Sequence, residues 1–492
     1  MTVNPKKLRP YDQQPRRRRT LIPAGPDSPA IGFLVAAALW VAVATALGVL
    51  AIGLKLVTFE FSFPLYVFGW NFELDGRRVE AAFVNATAFG WLSNAGFAAI
   101  AFFTPRLLGQ PLAMVPLVNM GLAIWNLSLL GGIAGLYVFD LGPNAPLGAL
   151  LWPFDGGLAT GALIITGAFF VTAGMALRSG YVSLWFAGVA LLSLAGLTGL
   201  NALIGLLEWL ISLPDLLVAL SSVFIDRSLI VLWLLGVAYA SLHYVVPRAT
   251  GQPLASAGIA MLTFLTWLAL APLSGLGTLL DASVPYVITS LGQVVTILLL
   301  VPASLAVVNL SQTMSGRWSL LFAPGSAALA ALALAFLLAV SLLDAIGSLR
   351  EVHAMVGGTD WITGLFVWTT YGAFTLAAFA LADHALPRLL RRSWGGDVLS
   401  AAAMWLAFGG ATIAGLALMG GGMAEGSLRA AGAAPDAVAA GVLVYRGVGL
   451  LGFGLVALAG LAFLVNLFLM YTAGRPAEYA VPGTPAAASA GH

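Results

Sequence analysis

Apolar runs of about 20 residues follow one another from residue 30 to residue 471, the length at which a helix crosses a bilayer. Inside hydrocarbon every backbone N–H and C=O has to be satisfied by the segment itself, so runs of this length are predicted to be helices. Twelve runs can be delimited, at roughly 30–57, 81–104, 114–139, 157–178, 181–204, 216–246, 254–274, 284–309, 319–346, 360–383, 397–421 and 439–471. Charged residues make up only 9% of the chain, against about 25% in a soluble domain. The 57 glycines suit helices that pack closely in a membrane. The predicted fold class is an all-α polytopic membrane protein, a twelve-transmembrane-helix bundle with short connections.

The placement of lysine and arginine checks that count. With the N-terminus inside, 15 of the 22 basic residues fall in cytoplasmic segments and 5 on the opposite side, leaving Arg227 and Arg446 within spans. This bias predicts an even number of spans with both ends cytoplasmic. The chain then divides into a basic, Pro-rich, disordered tail (1–29), the membrane domain (30–471) and an Ala/Pro/Gly/Ser-rich disordered tail (472–492). Two connections carry a signal. In the 58–79 loop, aromatics from Phe59 to Phe72 alternate with other residues, which fits a strand or hairpin and equally an interfacial aromatic belt. Leu206 to Pro214, with Glu208 and Trp209, reads as an interfacial helix. The only basic block, Arg16 to Arg19, is too short to argue for a nucleic-acid partner.

The chain has no cysteine, which removes disulfides, iron–sulfur clusters and thiolate-linked haem. It has four histidines. His243 and His384 are expected at cytoplasmic helix exits as solvated or interfacial residues, His353 in a surface loop, and His492 at the terminus. Hydroxyls in the cytoplasmic halves of the spans (Ser256, Thr263, Thr266, Thr296, Ser304 and Ser311) read as helix-packing groups before they read as a proton path.

A set of short motifs in fixed order resembles subunit I of the haem-copper oxidases, especially the cbb-type cytochrome c oxidase and nitric oxide reductase branch. Span two carries Phe83-Val84-Asn85-Ala86 and ends in Pro105-Arg106-Leu107; span six ends His243-Tyr244-Val245-Val246-Pro247-Arg248. Span eight has Val301-Pro302-Ala303-Ser304 and Asn309, span ten opens Thr359-Asp360-Trp361, and span twelve holds Tyr445-Arg446-Gly447 and Asn466. The resemblance runs from about residue 75 to 471. It implies a subunit I-type bundle with haem b and copper held by six histidines. None of the six stands in its slot. The first haem ligand falls on Phe83, the first copper ligand near Arg227, the paired copper ligands on Gly277 and Thr278, and the last two haem ligands on Leu365 and Val367; the redox-active tyrosine falls near Ala271. No cofactor is therefore expected, and Phe83, Leu365 and Val367 read as plugs of an emptied site.

Ionisable residues inside spans are costly and are usually paired or functional. Asp226 and Arg227 lie well inside span six, Arg227 in the slot of a copper ligand. Asp344, near the end of span nine, lies close to where the family keeps an acid beside its high-spin haem, and Arg446 enters span twelve on the same side. One expectation is a single buried polar cluster of Asp226, Arg227, Asp344 and Arg446; the other is that each ends its helix and snorkels to the interface. Functionally, the resemblance implies a subunit I-like protein of a bacterial inner membrane. The first reading is a cofactor-free structural or partner subunit that works with other membrane or cytochrome subunits of a respiratory-type complex. The alternatives are a transporter, sensor or assembly factor that reuses the cavity, and a working oxidase or nitric oxide reductase with unrecognised ligands.

Overall fold

The computed structural model describes residues 25–56, 63–67, 70–138, 150–174, 180–281 and 285–476. Twelve helices among them are long and apolar enough to span a membrane: α1 (Ser28–Leu54), α2 (Gly76–Leu108), α3 (Val115–Val138), α4 (Trp152–Ala173), α5 (Val182–Ile211), α6 (Asp215–Thr250), α7 (Ala257–Leu279), α8 (Tyr286–Thr313), α9 (Ser326–Gly347), α10 (Asp360–Leu390), α11 (Asp397–Ala430) and α12 (Pro435–Thr472). We call the end of the bundle at which the even-numbered spans begin the upper end. The expected spans are all present, but several run beyond their apolar windows. The stretch Leu206–Pro214 is not a separate interfacial helix. It completes α5, which has no breaker before Ser212 (φ 51°) and Pro214, and its Trp209 packs on Trp152 at the start of α4 (5.8 Å). Between α1 and α2 lies the hairpin, with β1 (Phe63–Val67) antiparallel to β2 (Trp70–Leu74) in a register that sets Phe63 opposite Leu74.

The tails expected at 1–29 and 472–492 fall mostly outside the described residues. At their edges, α1 already begins at Ser28, and residues 475 and 476 pair with the segment after α10: the Ser393 N–H donates to the Arg475 carbonyl (2.9 Å) and Arg392 bridges to Pro476.

The three most buried spans are α2, α6 and α10, and they contact one another at the centre of the bundle. They share one build. Each contains a π-helical turn (Ala86–Leu92, Leu229–Leu234, Trp368–Phe374), then a proline inside its last turns (Pro105, Pro247, Pro387), then a left-handed residue four positions later (Gly109, Gly251, Arg391). In each, the N–H of that residue and of the next donate to the carbonyl of the proline. A π-turn strands carbonyls that a continuous helix would satisfy. Here neighbouring tryptophans reach them: the Trp125 indole of α3 donates to the Phe89 carbonyl (2.9 Å), and the Trp267 indole of α7 donates to the Val231 carbonyl (3.0 Å). The hydroxyls of Ser93 and Thr375 donate five residues back, to Ala88 and Thr370, and in turn accept the indole N–H of Trp233 and Trp91.

The left-handed position suits glycine, because a Cβ there crowds the following carbonyl. An added Cβ at Gly251 meets nothing within 4 Å, so only backbone strain opposes it. Gly251→Ala is expected to cost about 1 kcal/mol, read as a lowered thermal midpoint in detergent, with no loss of assembled bundle.

Candidate functional site

The site lies in the upper half of the bundle, around the central trio and the end of α7, where the slots that the resemblance assigns to cofactor ligands fall. It has two parts, one filled and one open.

The filled part surrounds Phe83. Its ring meets Phe366 edge-on (5.7 Å), Phe453 edge-on (5.5 Å) and Tyr371 in parallel (6.2 Å), while Tyr371 and Phe453 meet at 5.0 Å. Offset and edge-to-face contacts of this kind are the favourable aromatic geometries. Gly48 of α1 makes room for the block, since a Cβ there would lie 2.4 Å from Phe453 and 2.5 Å from Phe83. The Tyr371 hydroxyl is hydrogen-bonded to Thr87 (2.7 Å), which anchors the far side. Val367 is fully buried in the same core. The residues at slots 83 and 367 thus carry no nitrogen donor, and their surroundings are packed with side chains. They do not fit the ligation of a haem.

The open part is a cavity of about 350 Å³ between α2, α6, α7, α8, α9 and α10. Phe83, Arg227, Thr278 and Leu365, four of the six lost-ligand positions, line it. Gly277 lies behind the wall, where a Cβ would come within 2.4 Å of the Thr296 hydroxyl; Gly292 of α8 presses in turn on the Leu276 carbonyl. An imidazole at 277 would displace the Thr296 hydroxyl of α8. The Thr278 hydroxyl is bound to its own turn, at the Gly275 carbonyl (2.7 Å). Among the described residues, no group of three or more His, Asp or Glu side chains could hold a metal ion. These residues do not fit the copper and high-spin haem of the family.

The charged residues form two groups, not one. Arg227 donates to the Asp344 carboxylate at the cavity wall. Asp226 lines the same cavity but, among the described residues, is in no ion pair; its Oδ1 is buried with no hydrogen-bond partner among them. Arg446 belongs elsewhere. Its Nε donates to Asp360 (2.5 Å) and a terminal nitrogen lies 3.8 Å from Glu425. Lys55 joins this second group through Asp360 (3.4 Å), the Thr363 hydroxyl (2.9 Å) and Glu80 (3.7 Å), and Arg429 binds Glu425 from outside. Glu425 also accepts the N–H of Asp360 (3.3 Å). The network therefore ties α1, α2, α10, α11 and α12 together at the upper end. Sequence reading missed Lys55, Glu80, Asp360 and Glu425 as members; Asp360, buried in the first turn of α10, was the visible signal.

The three described histidines stand away from the site. His243 and His384 are buried, not solvated as expected. His243 packs on Phe186 (5.5 Å) with Nδ1 at the Tyr239 carbonyl (2.8 Å), and His384 packs between Phe102 and Tyr244 (6.2 and 6.0 Å). Proline three or four residues on extends each helix past them, so the exits lie lower than the end of the apolar runs suggests. His353 lies in a short helix, Arg350–Val356, after α9. The hydroxyls of Thr263, Thr266 and Thr296 each return to a carbonyl of their own helix (2.7–2.9 Å), which makes them packing groups.

Comparison with known proteins matches this arrangement to a family. The chain is similar in fold to the cryo-electron-microscopy structure of a heme-copper terminal oxidase dimer, with a TM-score of 0.72 and 15% identity over 92% of this chain and 85% of that one. No curated protein matches it in sequence. The family model described as cytochrome c and quinol oxidase polypeptide I matches residues 28–451. The chain belongs to that family, the subunit I superfamily of the haem-copper oxidases.

Proposed function

We propose that this protein is a haem-free, copper-free member of its family and acts as a non-catalytic partner subunit of a respiratory-type complex in a bacterial inner membrane, with both termini cytoplasmic. The observation that carries the reading is the aromatic block of Phe83, Phe366, Tyr371 and Phe453, closed by Gly48, at the slot of the first haem ligand. An emptied haem pocket would be a large packing defect, and defects of that kind are costly. The rings and the small residue opposite them are what compensation for such a defect looks like. The Arg227–Asp344 pair supports the same reading on the other side. A fixed guanidinium stands where a metal charge is expected, and it occupies the acid that would otherwise be left alone in a membrane.

A reduced-minus-oxidised visible spectrum and a pyridine haemochrome assay on the purified protein test this. The expected result is no haem band; haem at one per chain would overturn the reading. Co-purification of cytochrome or other respiratory subunits is the result expected of a partner subunit. A second reading, a small-molecule binding protein or sensor, is favoured by one observation: the cavity beside Leu365 has stayed open while its neighbour was filled.

A further inference from the structure

The open cavity offers a guest little to bind by charge. Its lower part is apolar, walled by Val231 and Leu235 of α6, Leu337 of α9, and Phe366 and Phe374 of α10. Charged groups line only the upper part, and they are engaged with one another or with the network above. Arg227 donates to Asp344, and Glu80 has Lys55 beside it (3.7 Å). Asp226 has one oxygen without a hydrogen-bond partner among the described residues, and that oxygen is buried away from the cavity surface. The hydroxyls along the wall are committed to their own helices. Thr278 donates to the Gly275 carbonyl (2.7 Å), Thr296 to Gly292 (2.9 Å), Ser341 to Leu337 (2.8 Å) and Thr369 to Leu365 (2.8 Å). Ile362, more than half exposed, stands at the rim and gives a way in.

We infer that this cavity binds an uncharged, apolar molecule the size of two fused rings, held among Val231, Leu235, Leu337 and Phe374. This rests on the reading that no haem occupies the site, and it gives a ligand class to the cavity that the packing leaves open. An apolar guest gains by leaving water for such a wall, in proportion to the surface it buries. A charged guest loses its hydration and finds no free counter-charge. An anion would compete with Asp344 for Arg227, and a cation would compete with Arg227 for Asp344 or with Lys55 for Glu80. A polar head finds no free donor in the wall hydroxyls, whose hydrogens are already placed. A bare metal ion would find no set of ligands among the described residues. The size follows from the volume. About 350 Å³ is a little over twice the roughly 150 Å³ of an apolar cavity that takes up benzene, and it lies within the range of small-ligand sites. Phe83, Phe366 and Phe374 line it and offer a flat guest edge and face contacts.

The test uses the full-length protein in a non-ionic detergent, with naphthalene, 1-naphthoate and 1-naphthylmethylammonium compared by equilibrium dialysis. Naphthalene is expected to bind saturably and at least about tenfold more tightly than either charged analogue, the least that an unpaired buried charge should cost. Two variants fill the cavity from different helices. Leu337→Trp with Ser341→Phe adds two rings to one face of α9, and Ala373→Phe adds one from α10. Near-ultraviolet circular dichroism selects the variant that folds, which serves as the blank for uptake by micelles and should bind naphthalene at least about tenfold more weakly than the parent. Uptake by the parent that rises without saturation overturns the proposal with no variant needed. So does equal uptake by the parent and a folded filled variant, or a charged analogue that binds as tightly as naphthalene. The measurement is repeated in lipid nanodiscs, where acyl chains compete for any cavity they can enter. Binding that persists there supports a small free molecule, and binding lost there overturns it. Haem is assayed on the same preparation. Haem at one per chain defeats the haem-free reading, whereas haem-free protein that takes up no naphthalene defeats the ligand proposal alone.

Discussion

Phe83→Ala is expected to lower stability by about 3–5 kcal/mol, the cost of deleting a buried aromatic ring and leaving its cavity. The position has little means of recovery. The ring touches Phe366, Tyr371 and Phe453, and the face opposite is Gly48, which has no side chain to move in. Tyr371 is fixed by Thr87 and cannot swing to fill the gap without giving up a buried hydrogen bond. Thermal unfolding in detergent, followed by near-ultraviolet circular dichroism, reads the loss, and a drop no larger than that of an exposed Leu127→Ala control would contradict it. The same packing makes a second expectation sharp. Phe83→His with Val367→His restores the paired imidazoles on paper, yet the purified double variant should carry no haem and be less stable than the parent. The ring at 83 would face Phe366, Tyr371 and Phe453, and the ring at 367 would lie in the apolar core, with no polar partner shown at either position.

Arg227→Leu should be the most damaging change at the cavity, by about 3 kcal/mol, because it leaves Asp344 without a cation in a site within the membrane. The partial exposure of both partners sets the lower end of the usual range for breaking a buried pair. Adding Asp344→Leu should recover most of the loss, since two apolar residues of similar bulk often replace a buried pair without penalty. If the double variant is as unstable as the single one, Arg227 stabilises the bundle through something other than this pair. Denaturation midpoints of the four proteins of the cycle decide it.

The spans were legible because their signal is long and repeated, and because basic residues sort to alternate ends. Their limits were less so. Helices such as α5, α11 and α12 continue past the hydrocarbon, where apolar run length no longer reports on helical backbone. The shared build of α2, α6 and α10 is spelled by a few residues far apart in the chain: an indole in a neighbouring span, a proline, and a left-handed exit that is glycine twice and arginine once. No local window contains it. In the site, Arg227 and Asp344 were readable as partners because both fell on functional slots of a resembling family. Arg446 was placed with them because it lies at a similar depth, but depth does not fix direction. The packing of α12 against α1 and α11 turns it toward Lys55, Asp360 and Glu425. The open cavity beside a filled one could not be read at all, since it depends on how side chains from six helices share space.

The π-turns of the central trio have one more consequence. Each extra residue in a helical turn rotates the upper half of the helix against its lower half by roughly 100°. Phe83, Arg227, Leu365 and Val367 all stand just above such a turn, and the proline exits with their fixed carbonyl bonds stand below. The turn acts as a swivel between a foot that sets how the three helices seat against one another and a head that aims its side chains inward. Substitutions in the head then change what the centre holds without altering how the foot is keyed. A chain built this way can exchange the whole chemistry of its interior, one side chain at a time, while the outline that a neighbouring subunit meets stays the same.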